Sequence, residues 1–142
     1  MTRLAARGDR LNYGDIVTTI EEIEQDPWPE PDPATSTLVR RCTALRRKPI
    51  DDLTIEDLRI LLGQRIAVPT LLPVAIAVLL RNPLAEGDYC PGALLHVVVR
   101  LPQDSWNGRT TQREQLTERV APLLDLADLD PHLRPDIQRF VE

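Results

Sequence analysis

The chain has 142 residues, enough to bury about two-thirds of its unfolded surface in one core with no disulfide or metal staple. Seventeen basic against 22 acidic residues give a net charge of -5, which weighs against nucleic acid, because neutralising phosphates needs a concentrated basic face. The two cysteines, Cys42 and Cys90, form no CxxC, and Met1 to Arg10 holds no apolar run, so both are expected to be reduced, buried thiols of a cytoplasmic protein.

Residues 1–12 read as a flexible basic arm, and residues 13–142 as a single helical domain. A first helix is predicted from Asp15 to about Gln25, with Ile16, Ile20 and Ile23 on one face. It stops at Asp26 because Pro27 disfavours helical geometry in the residue before it. Prolines at 27, 29, 31 and 33 then force an extended connection with few backbone donors. A second helix, Ala34 to Arg47, puts Leu38, Cys42 and Leu45 on one side.

Thr54 is a good cap for a third helix, with Glu56 and Asp57 at the positive end of its dipole. Ile55, Leu58, Leu61 and Leu62 supply its stripe and Gly63 its terminator. The fourth helix, Thr70 to Leu80, is apolar nearly all round, as an element packed on by several others should be. The whole apolar run Ile66 to Leu80 would reach only about 22 Å as a helix against a hydrocarbon layer of about 30 Å, so it reads as core and not as a membrane span.

Asn82 to Tyr89 forms a polar turn, after which Pro91 opens a fifth helix over Leu94, Leu95, Val98 and Leu101. The triplet Val97-Val98-Val99 also fits a strand. Beyond a loop from Pro102 to Arg109, a long helix is signalled by Leu116, Val120, Leu123, Leu124 and Ala127, kinked or divided at Pro122. A last helix opens at Asp130-Pro131 with Leu133, Ile137 and Phe140 facing inward. The predicted fold is all-α: six or seven short helices around the central apolar one.

Catalytic signals are thin. His96 and His132 lie far apart and pair with no cysteine at metal-ligand spacing; a hydrogen-bonded core residue is the ordinary reading of the first and an exposed one of the second. Ser36 and Ser105 lie outside any GxSxG, and the glycines build no phosphate-cradling loop. No catalytic, cofactor or metal residues are therefore assigned.

The layout of charge is more informative. Asp15, Glu21, Glu22, Glu24, Asp26, Glu30 and Asp32 occupy a stretch free of lysine and arginine. Arg40, Arg41, Arg46, Arg47 and Lys48 then follow with no carboxylate among them. Two neighbouring segments that pair with each other would produce this pattern, and so would a surface kept for a charged partner. Trp28, set within the acidic stretch, is either a core plug or a binding anchor.

The segments RKPIDDLTIEDLRILLGQ (Arg47 to Gln64), a proline-bearing apolar helix (Pro69 to Leu80), NPLAEGDYCPGALL (Asn82 to Leu95) and Trp106 occur in an order that resembles the immunity proteins of contact-dependent growth inhibition (CDI) systems, CdiI type. The resemblance covers roughly residues 15 to 106. It implies a partner: the C-terminal toxin domain of a cognate delivery protein, often a nuclease, blocked inside the cell that makes it. The family pattern carries an acidic residue after the glycine of the turn, where this chain has Ala93, so either Asp88 takes over that role or the interface differs.

An acidic inhibitor of a basic nuclease would be steered electrostatically and could stand in for phosphate. The candidate toxin-binding residues are Glu22, Glu24, Glu30 and Asp32, Glu86 and Asp88 of the turn, and Trp28. No cofactor, nucleic acid or membrane partner is expected. Two other classes stay open: a DNA-binding helical protein using Arg40 to Lys48 as a basic stripe, and an enzyme with dispersed carboxylates.

Overall fold

The computed structural model describes residues 18–86 and 91–142. The expected N-terminal arm, the start of the first predicted helix, and Asp88 and Cys90 lie outside the described residues. Seven α-helices follow one another among the described residues: α1 (Ile20–Glu24), α2 (Thr37–Arg46), α3 (Ile55–Gly63), α4 (Val68–Arg81), α5 (Ala93–Val99), α6 (Thr110–Val120) and α7 (Arg134–Val141), with 3-10 turns at Ile50–Asp52, Gln103–Trp106 and Ala121–Asp125. No strand interrupts them, so the valine triplet is helical, as its place between Leu95 and Leu101 in a buried stripe requires.

Capping chemistry sets several boundaries. Thr54 caps α3 as predicted: its hydroxyl accepts from the Asp57 amide, and the Asp57 carboxylate accepts from the Thr54 amide. Thr19 and Glu22 build the same reciprocal box on α1, so that helix is shorter than its apolar spacing predicts. Thr18 and Thr19 are held extended instead, the Thr18 carbonyl accepting from the Ile50 amide at 2.8 Å. Ser36 caps α2, which begins three residues later than predicted because the Asp32 carboxylate draws the Ala34 amide into a turn.

α3 ends at Gly63 as predicted, though not through a left-handed glycine: Gly63 is the last helical residue, and the chain reverses through left-handed Arg65 and Ala67. Pro122 divides the sixth predicted helix: α6 ends at Val120, a 3-10 turn follows, and Ala127, expected on the buried stripe, is exposed where the chain has left the helix. Asp130 and Pro131 make a turn before α7 and not its first residues.

The core forms where α3 packs on α4 and α5, α4 also meets α5 and α6, and α7 closes against α5 and α6. Leu61, Leu62, Leu71, Leu72, Leu79, Leu94, Leu95, Leu116 and Ile137 are fully buried there. Each such side chain contributes about 1.5 to 3 kcal/mol relative to exposure. Trp106 and Phe140 meet at 5.4 Å between ring centroids and cover one end. Among the described residues no helix is long and apolar enough to cross a membrane.

Proline inside α4 creates a specific deficit. Pro73 has no amide to donate to the Pro69 carbonyl one turn earlier, and that carbonyl instead accepts from Arg109 Nη2 at 2.8 Å. The start of α6 is thereby tied to the start of α4 by the backbone group that proline left unpaired. Arg109→Ala should lower stability by about 1 kcal/mol, the net worth of such a bond. In a Pro73→Ala background, where the helix supplies its own donor, most of that loss should vanish in a double-mutant cycle read by urea unfolding; equal losses in both backgrounds would reject the link.

Candidate protein-binding site

The proline-rich connection between α1 and α2 cannot pair its backbone with a neighbour, so its carbonyls need donors from elsewhere. The last turn of α2 supplies them. Arg46 Nη2 donates to the Asp26 carbonyl at 2.9 Å and to Glu24 Oε1 at 2.6 Å. Arg47 reaches three partners with three nitrogens: Glu21 Oε2 at 3.1 Å, Glu30 Oε1 at 2.9 Å and the Trp28 carbonyl at 2.9 Å. Arg40, nearly two turns earlier, donates to the Pro33 carbonyl at 2.7 Å. A guanidinium suits the task because its donors lie in a fixed fork and its charge is permanent.

Arg46 is fully buried, and its Nε and Nη1 make no hydrogen bond. Its planar group instead lies 4.3 Å from the centroid of the Trp28 ring, so a cation-π contact takes the place of the missing acceptors. Trp28 is half-buried and packs against the core. The hydrogen bonds that Arg47 donates to Glu30 and Glu21 raise its pKa above its ordinary value.

The charge reversal visible in the sequence therefore closes on itself in part. Arg46 and Arg47 bind the acidic stretch, while Lys48 Nζ sits 2.7 Å from Asp57 Oδ2 and Arg41 sits 3.7 Å from Asp57 Oδ1. All five basic residues from Arg40 to Lys48 have an internal partner. Of the carboxylates, Glu22 belongs to the Thr19 cap, Glu24 is one-third exposed beside Arg46, Glu30 is 82% exposed beyond Arg47, and Asp32 is exposed with one oxygen on the Ala34 amide. These residues and Trp28 are gathered on one frame. Glu86 is not: it is exposed on the connection after α4, and no ion pair or hydrogen bond among the described residues links it to that frame. Ala93, where the resemblance led to the expectation of an acidic residue, is buried at the first position of α5.

Two other carboxylates have lowered pKa values: Asp57, expected at the positive end of the α3 dipole, and Asp136, which no sequence spacing announced. Burial alone would raise the pKa of Asp57, but the hydrogen bonds from Lys48 and from the Thr54 amide outweigh it and hold the carboxyl below its usual range. Asp136 is buried, and there too burial is outweighed, by Arg139 at 3.0 Å, His96 Nε2 at 2.6 Å and Arg100 at 3.4 Å. His96 is thus part of a polar cluster at the α5–α7 edge, about one-third exposed, and not fully inside. His132 is exposed, as expected. Cys42 is buried as expected, and burial pushes its thiol up. A carboxylate ringed by cations is stabilised as the anion, the opposite of what a general acid needs. No group of three or more histidine, cysteine or acidic residues able to hold a metal occurs among the described residues.

The chain belongs to the family of CDI immunity proteins, whose model matches residues 22–116, about two-thirds of its length. No curated protein matches it. The matched stretch begins at the acidic segment and runs through α2 to α5 into α6.

Asp57 binds fewer protons folded than unfolded around pH 4, so the stability it contributes is complete above its unfolded pKa and drains away as pH falls through the lower folded value. Asp57→Asn should flatten the acid side of the stability–pH curve below about pH 5 and cost about 1 to 3 kcal/mol near neutrality. Arg46→Ala, which removes a buried charge from Glu24 and from the Trp28 ring, should cost about 2 to 4 kcal/mol and expose the tryptophan to iodide quenching. Retention of wild-type quenching would show that Arg46 does not hold that loop.

Proposed function

We propose that this protein binds the C-terminal toxin domain of a cognate contact-dependent growth inhibition or polymorphic toxin protein and neutralises it stoichiometrically, without catalysis, in the cytoplasm of the cell that makes it. The family assignment supports the partner class. The reading extends it: the toxin is a nuclease, and the acidic frame Glu22, Glu24, Glu30 and Asp32, with Glu86 and Asp88 of the α4–α5 connection and Trp28 as anchor, covers its phosphate-binding surface.

The observation that carries this reading is preorganisation. Carboxylates on a free proline-rich loop would lose conformational entropy on binding, whereas here Arg46 and Arg47 fix the loop before any partner arrives. Glu30 and Asp32 still face solvent, and the net charge of -5 favours encounter with a basic surface. The basic stripe that would support DNA binding is instead engaged with Pro33, Glu21, Glu24, Glu30 and Asp57.

Glu30→Lys with Asp32→Lys, which leave Arg46 and its partner Glu24 in place, should slow association with the toxin domain encoded beside this gene by about tenfold at low salt, the difference shrinking above about 0.5 M salt. Unchanged association rates at low salt would refute the placement of the acidic face, and cells producing the protein that stay sensitive to that toxin would refute the function.

A further inference from the structure

A second surface has the opposite balance of free and engaged charge. Where α4 ends and the 3-10 turn after α6 leads toward α7, Leu84, Leu129 and Leu133 floor a cleft of about 640 Å³, with Leu126 and Pro91 on its sides and Asp128 and Asp130 lining it. Gly92 shapes the floor. At φ +86 it caps α5, and a Cβ there would come within 2.9 Å of Leu133 and 3.3 Å of Leu84, so only glycine lets these leucines close beneath α5. Leu126 stands 40% exposed beside this apolar floor.

No lysine or arginine occurs between Val120 and Leu133. The nearest cation in sequence, Arg134, is turned to the backbone, donating to the Leu124 and Leu126 carbonyls at 2.7 Å each, and so holds the leucine-bearing turn in place without neutralising it. Asp130 accepts from the His132 amide at 2.8 Å. Asp125 and Asp128 take part in no ion pair or hydrogen bond among the described residues. The cleft thus joins an apolar floor to Asp128, which makes no ion pair among the described residues, and to Asp130, whose one charged partner is the exposed His132 at 3.4 Å, whereas Arg46 and Arg47 partly answer the carboxylates of the 21–32 segment.

We infer that this cleft receives an apolar side chain flanked by lysine or arginine on the toxin domain, giving a second, separate contact to the same partner. The inference rests on the immunity reading above and deepens it. A leucine-lined cleft of this size accommodates one or two aliphatic or aromatic side chains, and the exposed carboxylate of Asp128 at its side favours basic neighbours to them. Leu126, Asp128, Leu129 and Leu133 lie beyond the stretch that the family model matches, while Leu84 and Pro91 lie within it. The contact is therefore built in part outside the matched framework, where a determinant of which toxin is recognised can be placed without disturbing α2 to α5.

The test measures binding of the toxin domain encoded beside this gene to the full chain and to the variants Leu126→Asp and Asp128→Lys. Both positions are exposed, so both variants should keep the wild-type helical circular dichroism spectrum and melting temperature. Leu126→Asp is expected to dissociate at least about tenfold faster, and Asp128→Lys to associate about threefold more slowly at low salt. Wild-type binding by both variants, with the Glu30 and Asp32 reversals still harmful, overturns this inference and leaves the immunity reading standing. Failure of the unaltered chain to bind the toxin overturns both. If the protein alone sediments as a dimer that Leu126→Asp converts to monomer, the cleft belongs to a second copy, and the inference is overturned.

Discussion

Short helices joined by proline-rich connections leave many backbone carbonyls without an amide, and in this protein arginine side chains supply the missing donors. Thirteen prolines remove donors, and the C-terminal end of each helix leaves orphan acceptors of its own. Arg40, Arg46 and Arg47 serve the 26–33 segment, Arg109 the carbonyl freed by Pro73, Arg119 the Leu80 carbonyl at the end of α4, Arg113 that of Phe140 at the end of α7, and Arg134 those of Leu124 and Leu126. Most of these contacts lie at the surface, where each contributes about 0.5 to 1.5 kcal/mol net, and those to Asp26, Phe140 and Leu124 are partly buried, where an unpaired carbonyl costs more. The same contacts couple distant parts of the chain: Arg109 and Arg119 pin α6 to both ends of α4, and Arg113 joins α6 to α7 while stacking 4.4 Å from the Phe140 ring.

This constraint bears on the proposed function because the 26–33 segment is where it is most severe. A loop with four prolines has few ways to hold itself, and the arginines that hold it also stand among its carboxylates. The arrangement trades some negative potential for rigidity: Glu21, Glu24 and Glu30 are partly neutralised, yet they are presented in one geometry. In the proposed function, a fixed acidic surface serves capture of the toxin better than a stronger but mobile one. Arg46, buried between Glu24 and Trp28, is the keystone of that geometry.

The chemistry elsewhere fits a binding protein. Asp57 and Asp136 are kept ionised by surrounding cations and tie segments together: the Lys48 region to the start of α3, and α5 to α7. Among the described residues, His96 rests against Asp136 and Cys42 lies in the core. Family membership and the physical reading of the site point the same way, since neither requires a reacting group.

Periodicity and caps in the sequence were sufficient for the all-helical class, for α3 with its Thr54 cap, for the apolar α4, and for the break at Pro122, because each depends on residues within one or two turns of one another. The sign reversal between residues 32 and 40 was equally plain, as were the motifs that resemble the immunity family. Spacing alone left open whether those opposite charges met each other or a partner; only the packing of α2 beside the proline segment decided that Arg46 and Arg47 close on Glu21, Glu24 and Glu30. The shortening of α1, the left-handed turns at Arg65 and Ala67, and the His96–Asp136 contact, 40 residues apart, were likewise beyond local pattern, because each is fixed by groups that meet only when the helices assemble. The leucine cleft is of the same kind: Leu84 and Leu133 share a wall across 49 residues of chain, and what brings them together is the absence of a side chain at Gly92.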